Sequence, residues 1–420
     1  MSSINHDEIW AHDESAKRGL VEAFLNGELP PWDLKKNKEL ERLLATYPYE
    51  YGPESISKAI IQTMEAMKPG TSLGVSIDTF KDFESFLVAS GFRGHFIHQF
   101  EVYLLGLNIL MAAWKLAGSA EERAKIFGSK SANVLADSWL LTAMGHDLGY
   151  PVQSARWIAK KLSDLYEKMG YRELANEFKL GKESRFAKWE PMLQQVSLDS
   201  NSADYTRRFF MLEELVVTSI SDTFGTKDTS SAQDFVKKMI EDDNHGVVSA
   251  LILARTIVYN QWNQLKLSSA PEMSSLGKFF NTTKGKLAKM AIAGVALHDC
   301  PSTSDVFEKF TFYDNPIAVT LYIADNLQDW ERTYNPNARC LWNYRLVSFQ
   351  NKGSHIILNC HLQPNRKVDN PEEGFRKEIE NKRAIQKKLK VSPDKVGVRL
   401  TAQFSLQGSD NTAEIVEFEF

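Results

Sequence analysis

The sequence predicts a mainly α protein, a large helical bundle followed by a small α+β unit. From about residue 92 to 333, apolar residues recur at helical spacing, and loops containing Gly, Ser, Asn or Pro separate the segments. After about residue 335 the period changes to strand-like runs flanking one charged helix. The 420 residues are enough for two or three units and a large core.

Residues 1–90 read as a helical extension that packs on the bundle. Leu29-Pro30-Pro31-Trp32 separates two short helical patterns. Residues 54–68 place Ile56, Ile60, Ile61 and Met64 on one stripe, and Pro69-Gly70 ends that helix. A second helix is expected at 75–90, with Asp78 or Thr79 as its N-cap. The bundle itself, 91–335, carries helical patterns at 95–117, 135–146, 151–170, 171–180, 207–223, 232–242, 246–268, 284–298 and 314–334. In the last unit, 336–420, strands are expected at 341–349 and 354–362, joined by Asn351-Lys352-Gly353. A charged helix at 371–390 follows, then strands at 396–406 and 413–420 on either side of Gly408-Ser409-Asp410-Asn411, giving the order β-β-α-β-β.

Composition narrows the function. Hydrophobic residues at 43% and charged residues at 25% are ordinary for a globular protein. The net charge of −4 gives no global basic field for gripping nucleic acid. Cys300, Cys340 and Cys360 are odd in number and far apart, which argues against a disulfide framework or a zinc knuckle and fits a reducing compartment. The first residues, MSSINHDEIW, are polar and acidic, unlike a secretory signal. The most apolar run, Val102 to Ala117, contains Asn108 and Lys115 and reads as a buried helix, not a membrane span. A soluble, cytoplasmic chain without a membrane partner is expected. The tryptophans, Trp10, Trp32, Trp114, Trp139, Trp157 and Trp189 among them, are scattered as core packing would have them.

Several titratable residues stand at the ends of apolar helical runs. His98 lies near the start of HFIHQFEVYLLG, and His146-Asp147 ends the run WLLTAMGHD before Gly149 and Pro151 break it. His245 heads HGVVSALIL, and His298 closes AIAGVALHD. Asp325 is the one charge in the apolar run 317–325 and falls mid-helix in the expected segment 314–334. A buried carboxylate is costly unless it is paired or bound to a cation, so Asp325 needs a partner. Two histidines and two aspartates offer nitrogen and hard oxygen ligands, which suit a divalent transition ion or Mg²⁺ better than a sulfur site would. An ion so held acidifies water and polarises a phosphoryl oxygen.

This H…HD…D order resembles the HD-domain superfamily of metal-dependent phosphohydrolases over about residues 90–335. Leu321-Tyr322-Ile323-Ala324-Asp325-Asn326-Leu327-Gln328 matches the L-x-x-A-D-x-L-x setting of the family's last aspartate. The resemblance implies an HD-type helical bundle with His98, His146, Asp147 and Asp325 as metal ligands. His245 and His298 resemble the extra ligands of the two-metal branch that includes the HD-GYP phosphodiesterases, and Asp147 would then bridge two ions. The chain departs from a standard HD-GYP protein: it reads HDLGYP where that set has HDIGK, and His298-Asp299 replaces the HHE segment. It also lacks the HDxGHxPFGH run of the deoxynucleotide triphosphohydrolases.

The function expected is hydrolysis of a phosphoester or phosphoanhydride, weighted by the resemblance towards a nucleotide. One or two divalent ions (Mn, Mg, Fe, Ni or Zn) would generate the attacking hydroxide, with Asp147, His245, His298 and Arg93 as the catalytic set. Asp299 reads as a capping group or one that supports a ligand. Lys160, Lys161, Arg156, Arg207 and Arg208 could meet phosphate oxygens, and Gln153 and Tyr150 could touch substrate. Asp329 and Arg332 lie one and two helical turns past Asp325 and so share roughly its face, where Asp329 could orient a ligand or water. His95 reads as a surface or near-site residue; His6, His12, His355 and His361 carry no expected role. The alternatives are a ligand-sensing HD module with little turnover and a single-strand nuclease, the latter disfavoured by the acidic charge. A homo-oligomer is compatible with the sequence.

Overall fold

The computed structural model describes residues 19–20, 95–150, 168, 202–225, 229–242, 244–264, 273–300, 311–328, 342–364, 370–389, 396–406 and 413–420. Among these residues the protein is mainly helical, with one small sheet at the C-terminal end. The helices are α1 (His95–Leu116), α2 (Ala120–Phe127), α3 (Ala132–Gly145), α4 (Ser202–Thr223), α5 (Ser230–Glu241), α6 (His245–Gln264), α7 (Met273–Phe280), α8 (Thr283–Leu297), α9 (Pro316–Leu327) and α10 (Pro371–Lys388). No described helix is long and apolar enough to cross a membrane. The segments expected at 54–68, 75–90, 151–170 and 171–180 lie outside the described residues, apart from Lys168.

Helix α8 is the hub: it packs against α3, α4, α6, α7 and α9. Its sequence explains this, because AIAGVAL from Ala291 to Leu297 is small, apolar and fully buried. Gly294 is the closest approach, since a Cβ there would meet the Ala318 Cα of α9 at 3.2 Å. The start of α8 is fixed by Thr282, whose side chain accepts the Gly285 amide. Asn315 caps α9 by accepting the Ala318 amide at 2.9 Å, and its Nδ2 donates to Thr223 on α4 and to the Met290 carbonyl on α8. Pro316 supplies the favoured first-turn residue. These contacts fix the pitch and register of α9 well before its last turn.

Helix α9 stops earlier than the apolar pattern suggests. It ends at Leu327, and Gln328 leaves the helical backbone at φ −83°, ψ 74°. Asp325 therefore stands in a final turn and not in mid-helix. The shared-face argument for Asp329 and Arg332 loses its continuous helix, and both residues lie outside the described set. Two short helices, α2 and α7, were not expected. Ser119 starts α2 by accepting the Glu122 amide, and Gly128 closes it in the left-handed region at φ 64°.

The C-terminal unit follows the expected order: β1 (Trp342–Asn351), β2 (His355–Pro364), α10, β3 (Arg399–Leu406) and β4 (Glu414–Glu419). The sheet runs β1-β2-β3-β4. The β1/β2 and β3/β4 pairs are antiparallel, and β2/β3 is parallel, as a crossover through a helix requires. Lys352 and Gly353 make the tight β1–β2 turn, with Gly353 at φ 77°. The core is continuous from bundle to sheet: Phe420 packs on Phe312, and Asn351 Nδ2 donates to Asn108 Oδ1 on α1.

Candidate metal centre

Five helix ends meet at one point. His98 is in the first turn of α1, and His245 is the first residue of α6. His146 and His298 are the C-caps of α3 and α8, and Asp325 is in the last turn of α9. Asp147 follows His146 in the turn closed by the Tyr150 amide on the Asp147 carbonyl. Three helix C-termini against two N-termini leave a net negative field, which suits a cation. His98, His146, Asp147, His245 and His298 are buried, and the Asp325 side chain is 17% exposed.

The donor atoms fall into two groups on either side of Asp147, joined by a third triad in which His146 and Asp325 lie within 4.8 Å of His298. In the first, Asp325 Oδ1 lies 3.0 Å from His98 Nε2 and 3.6 Å from His146 Nε2, whose two nitrogens are 3.4 Å apart. Asp147 Oδ2 lies 3.1 Å from His146 and 3.7 Å from His98, in a triad with those two histidines. In the second, His245 Nε2 and His298 Nε2 are 3.2 Å apart, and Asp147 Oδ1 lies 3.4 and 3.8 Å from them. Ligands about 2.1 Å from a divalent ion are separated by roughly 3 to 3.5 Å along the edges of an octahedron or tetrahedron. The distances in both groups run from 3.0 to 3.8 Å, near that spacing, so these buried His and Asp residues could hold a metal ion. The cluster is compatible with an HD-like site.

Each imidazole has its other nitrogen fixed. His146 Nδ1 donates to the Ala143 carbonyl at 2.6 Å and His298 Nδ1 to the Val295 carbonyl at 2.7 Å. These are carbonyls of a helix's last turn, which lack an intrahelical partner. The same device at two C-caps leaves both Nε2 atoms facing Asp147. His98 Nδ1 bonds to Gln328 Oε1, and Gln328 Nε2 donates to Glu101 Oε2 at 2.6 Å. His245 differs, because its Nδ1 donates to a carboxylate, Asp299 Oδ2, at 2.7 Å. Asn244 holds that carboxylate with its Nδ2 at 2.9 Å and caps α6 by accepting the Val247 amide. Tyr150 stacks on the His245 ring at 4.0 Å and 22°.

The electrostatics follow from this crowding. Burial pulls the His146 pKa down, but Asp147 and Asp325 outweigh it and raise the ring to about 10. Burial likewise opposes the charged His245, yet Asp147 and Asp299 raise it to about 9. Burial disfavours the ionised Asp325, but hydrogen bonds from His146 and His98 hold its carboxyl well below the usual range. Two protonated imidazoles thus take the place of a cation in a negative cage.

All six expected ligands come together. Asp299 supports His245, and Tyr150 packs on a ligand ring. Sequence reasoning missed Gln328, Glu101 and Asn244. Glu101, three residues past His98 and fully buried, is a lone acid in an apolar run, the same signal that marked Asp325. Arg93, Gln153, Arg156, Lys160 and Lys161 lie outside the described residues, as do the side chains of His95, Arg207 and Arg208. His355 bonds to Thr401 on the sheet, away from the cluster. Comparisons with known protein families, with curated proteins and with solved structures find no match to this chain.

Proposed function

We propose that the protein is a metal-dependent phosphohydrolase of the HD type that uses two divalent ions. The observation that carries this is the Asp147 carboxylate, whose two oxygens face two different pairs of imidazole nitrogens. A lone structural ion would need only one of those groups. When bound, such ions acidify a coordinated water and polarise phosphoryl oxygens. The chain's own residues divide the work. His98, His146, Asp147 Oδ2 and Asp325 form a four-ligand half-site, and His245, His298 and Asp147 Oδ1 form a three-ligand half-site that leaves more room for substrate. Asp299 makes His245 the most electron-rich of the four imidazoles, and the helix-end carbonyls and Gln328 keep the other three in one tautomer. A phosphate ester or anhydride fits this chemistry, and the resemblance to HD proteins weights the substrate towards a nucleotide.

Purified protein loaded with Mn²⁺ is expected to retain two ions per chain by elemental analysis. It should hydrolyse at least one member of a panel of nucleotides, cyclic dinucleotides and a chromogenic phosphodiester. Two ions and tight nucleotide binding with no product would favour the sensing module, and no retained ion would overturn the reading altogether.

The two half-sites should be separable by a change outside the ligand set. Gly149 lies so close to α6 that a Cβ would stand 2.4 Å from the His245 carbonyl oxygen and 3.0 Å from the Ser249 amide. Its own amide donates to Ser249 Oγ at 2.7 Å. Gly149→Ala is expected to push the first turn of α6 away, at a strain of about 1–3 kcal/mol. The three-ligand site should lose about tenfold or more in Mn²⁺ affinity while the four-ligand site holds. Equal loss at both sites in a calorimetric titration would contradict the assignment of His245 to one ion.

A further inference from the structure

The geometry points to the C-terminal α+β unit as a part of the metal centre, with Lys382 of α10 as a positioning residue that holds the last turn of α9. This rests on the metal reading above. Lys382 is 4% exposed, and its Nζ donates to the Asn326 carbonyl at 2.6 Å. The ammonium also lies 4.9 Å from the ring centroid of Tyr344 on β1, whose hydroxyl bonds to Glu378 on α10. Helix α10 packs directly on α9.

The acceptor's position gives this contact its meaning. Asn326 follows Asp325, whose carboxylate meets His98 and His146, and precedes by two residues Gln328, whose amide fixes His98. One helical turn therefore holds a metal-facing carboxylate, the support of a metal-facing imidazole, and the carbonyl that the lysine grips. Helix ends fray because their final carbonyls lack intrahelical partners, and a cation there both satisfies a carbonyl and suits the helix dipole. Here the chain leaves the helix at Gln328, so Asp325 sits one residue pair from a natural fraying point. Leu327 and Gln328 are 1% exposed, so this end needs a protein partner, and a buried amine, costly to desolvate, is repaid by holding the turn in one position. A displacement of this turn would reach first Asp325 and His98, both assigned to the four-ligand half-site, although Asp325 also lies within 4.8 Å of His298. The three-ligand half-site draws on α6, α8 and the turn after α3.

The test uses the full chain, stripped with chelator and titrated with Mn²⁺ by calorimetry, with elemental analysis of the loaded forms. Lys382→Met keeps the apolar stem and removes the donor. It should lower the affinity of one ion by about 10- to 100-fold, the usual cost of losing a supporting partner, and leave the other within about twofold. Lys382→Arg should restore most of the loss. Asn351→Ala, which cuts another tie between the unit and the bundle, should change neither ion. Wild-type affinity for both ions in Lys382→Met would overturn the proposal, as would equal weakening of both ions in Lys382→Met and Asn351→Ala alike. Should Lys382→Met fail to fold, Lys382→Gln is measured in its place. If neither folds while Lys382→Arg does, Lys382 is only structural and the proposal falls. A wild-type chain that takes up no Mn²⁺ would instead defeat the metal reading itself.

Discussion

Asp147→Asn should remove both ions at once. The substitution keeps the shape of the side chain but takes away the charge: of the two oxygens that face opposite imidazole pairs at 3.1 to 3.8 Å, one becomes an NH2 that cannot ligate and the other a neutral amide carbonyl, a much weaker donor. Each half-site is expected to lose more than about 100-fold in Mn²⁺ affinity, beyond what loss of a supporting partner costs. Hydrolysis should fall to the level of the metal-free protein. The comparison that gives this meaning is His245→Ala, which removes a ligand from one group only. That variant should keep one ion per chain and lose turnover, whereas Asp147→Asn should keep none. If Asp147→Asn retained a full ion, the carboxylate would belong to one half-site and the bridging role would be gone.

The cluster was legible because its members interrupt apolar runs. His98, His146, Asp147, His245, His298 and Asp325 are polar groups where helical patterns demand hydrophobic ones, and burial makes such groups expensive without partners. Helix ends were legible for the same reason when a breaker followed, as Gly149 and Pro151 follow His146-Asp147. The end of α9 was not, because LQDWER continues a helical pattern past the turn where the backbone leaves it. Helices α2 and α7, eight residues each, are too short to establish a period. Residues that act through another residue left the weakest trace. Gln328 and Asn244 are uncharged, and their role depends on which histidine the fold brings beside them. Lys382 belongs to a helix that reads as a charged surface helix, and it is buried where α10 packs against both α9 and the sheet. In the sheet, β-β-α-β-β gives the elements, while the β1-β2-β3-β4 order comes from tertiary pairing.

The metal-free protein should grow less stable as pH rises, and the ions should bind more tightly over the same range. His146 goes from an ordinary value of 6.5 to about 10 on folding, and His245 from 6.5 to about 9. A group raised in this way lends its full stability below the unfolded value, and loses it as pH climbs through the folded one. The stripped protein is therefore expected to be firmest near pH 6 and to weaken steadily towards pH 10, as the protons that neutralise Asp147, Asp299 and Asp325 leave. For His146, with no exposed surface, the effect is on the order of several kcal/mol, or about 5 °C in melting temperature for a chain of this size. On the acid side the depressed Asp325 acts in the opposite sense: its contribution is present above the usual carboxyl range and is lost as pH falls through its lowered folded value. A divalent ion replaces the protons, so uptake near pH 7 should release about two per chain, one from each raised imidazole. Calorimetry in two buffers of different ionisation enthalpy measures that number. Thermal melts of stripped and loaded protein from pH 6 to 10 should diverge, the stripped form falling and the loaded form holding. Parallel curves, or uptake without proton release, would mean that the imidazoles and the ions do not compete for the same Nε2 positions.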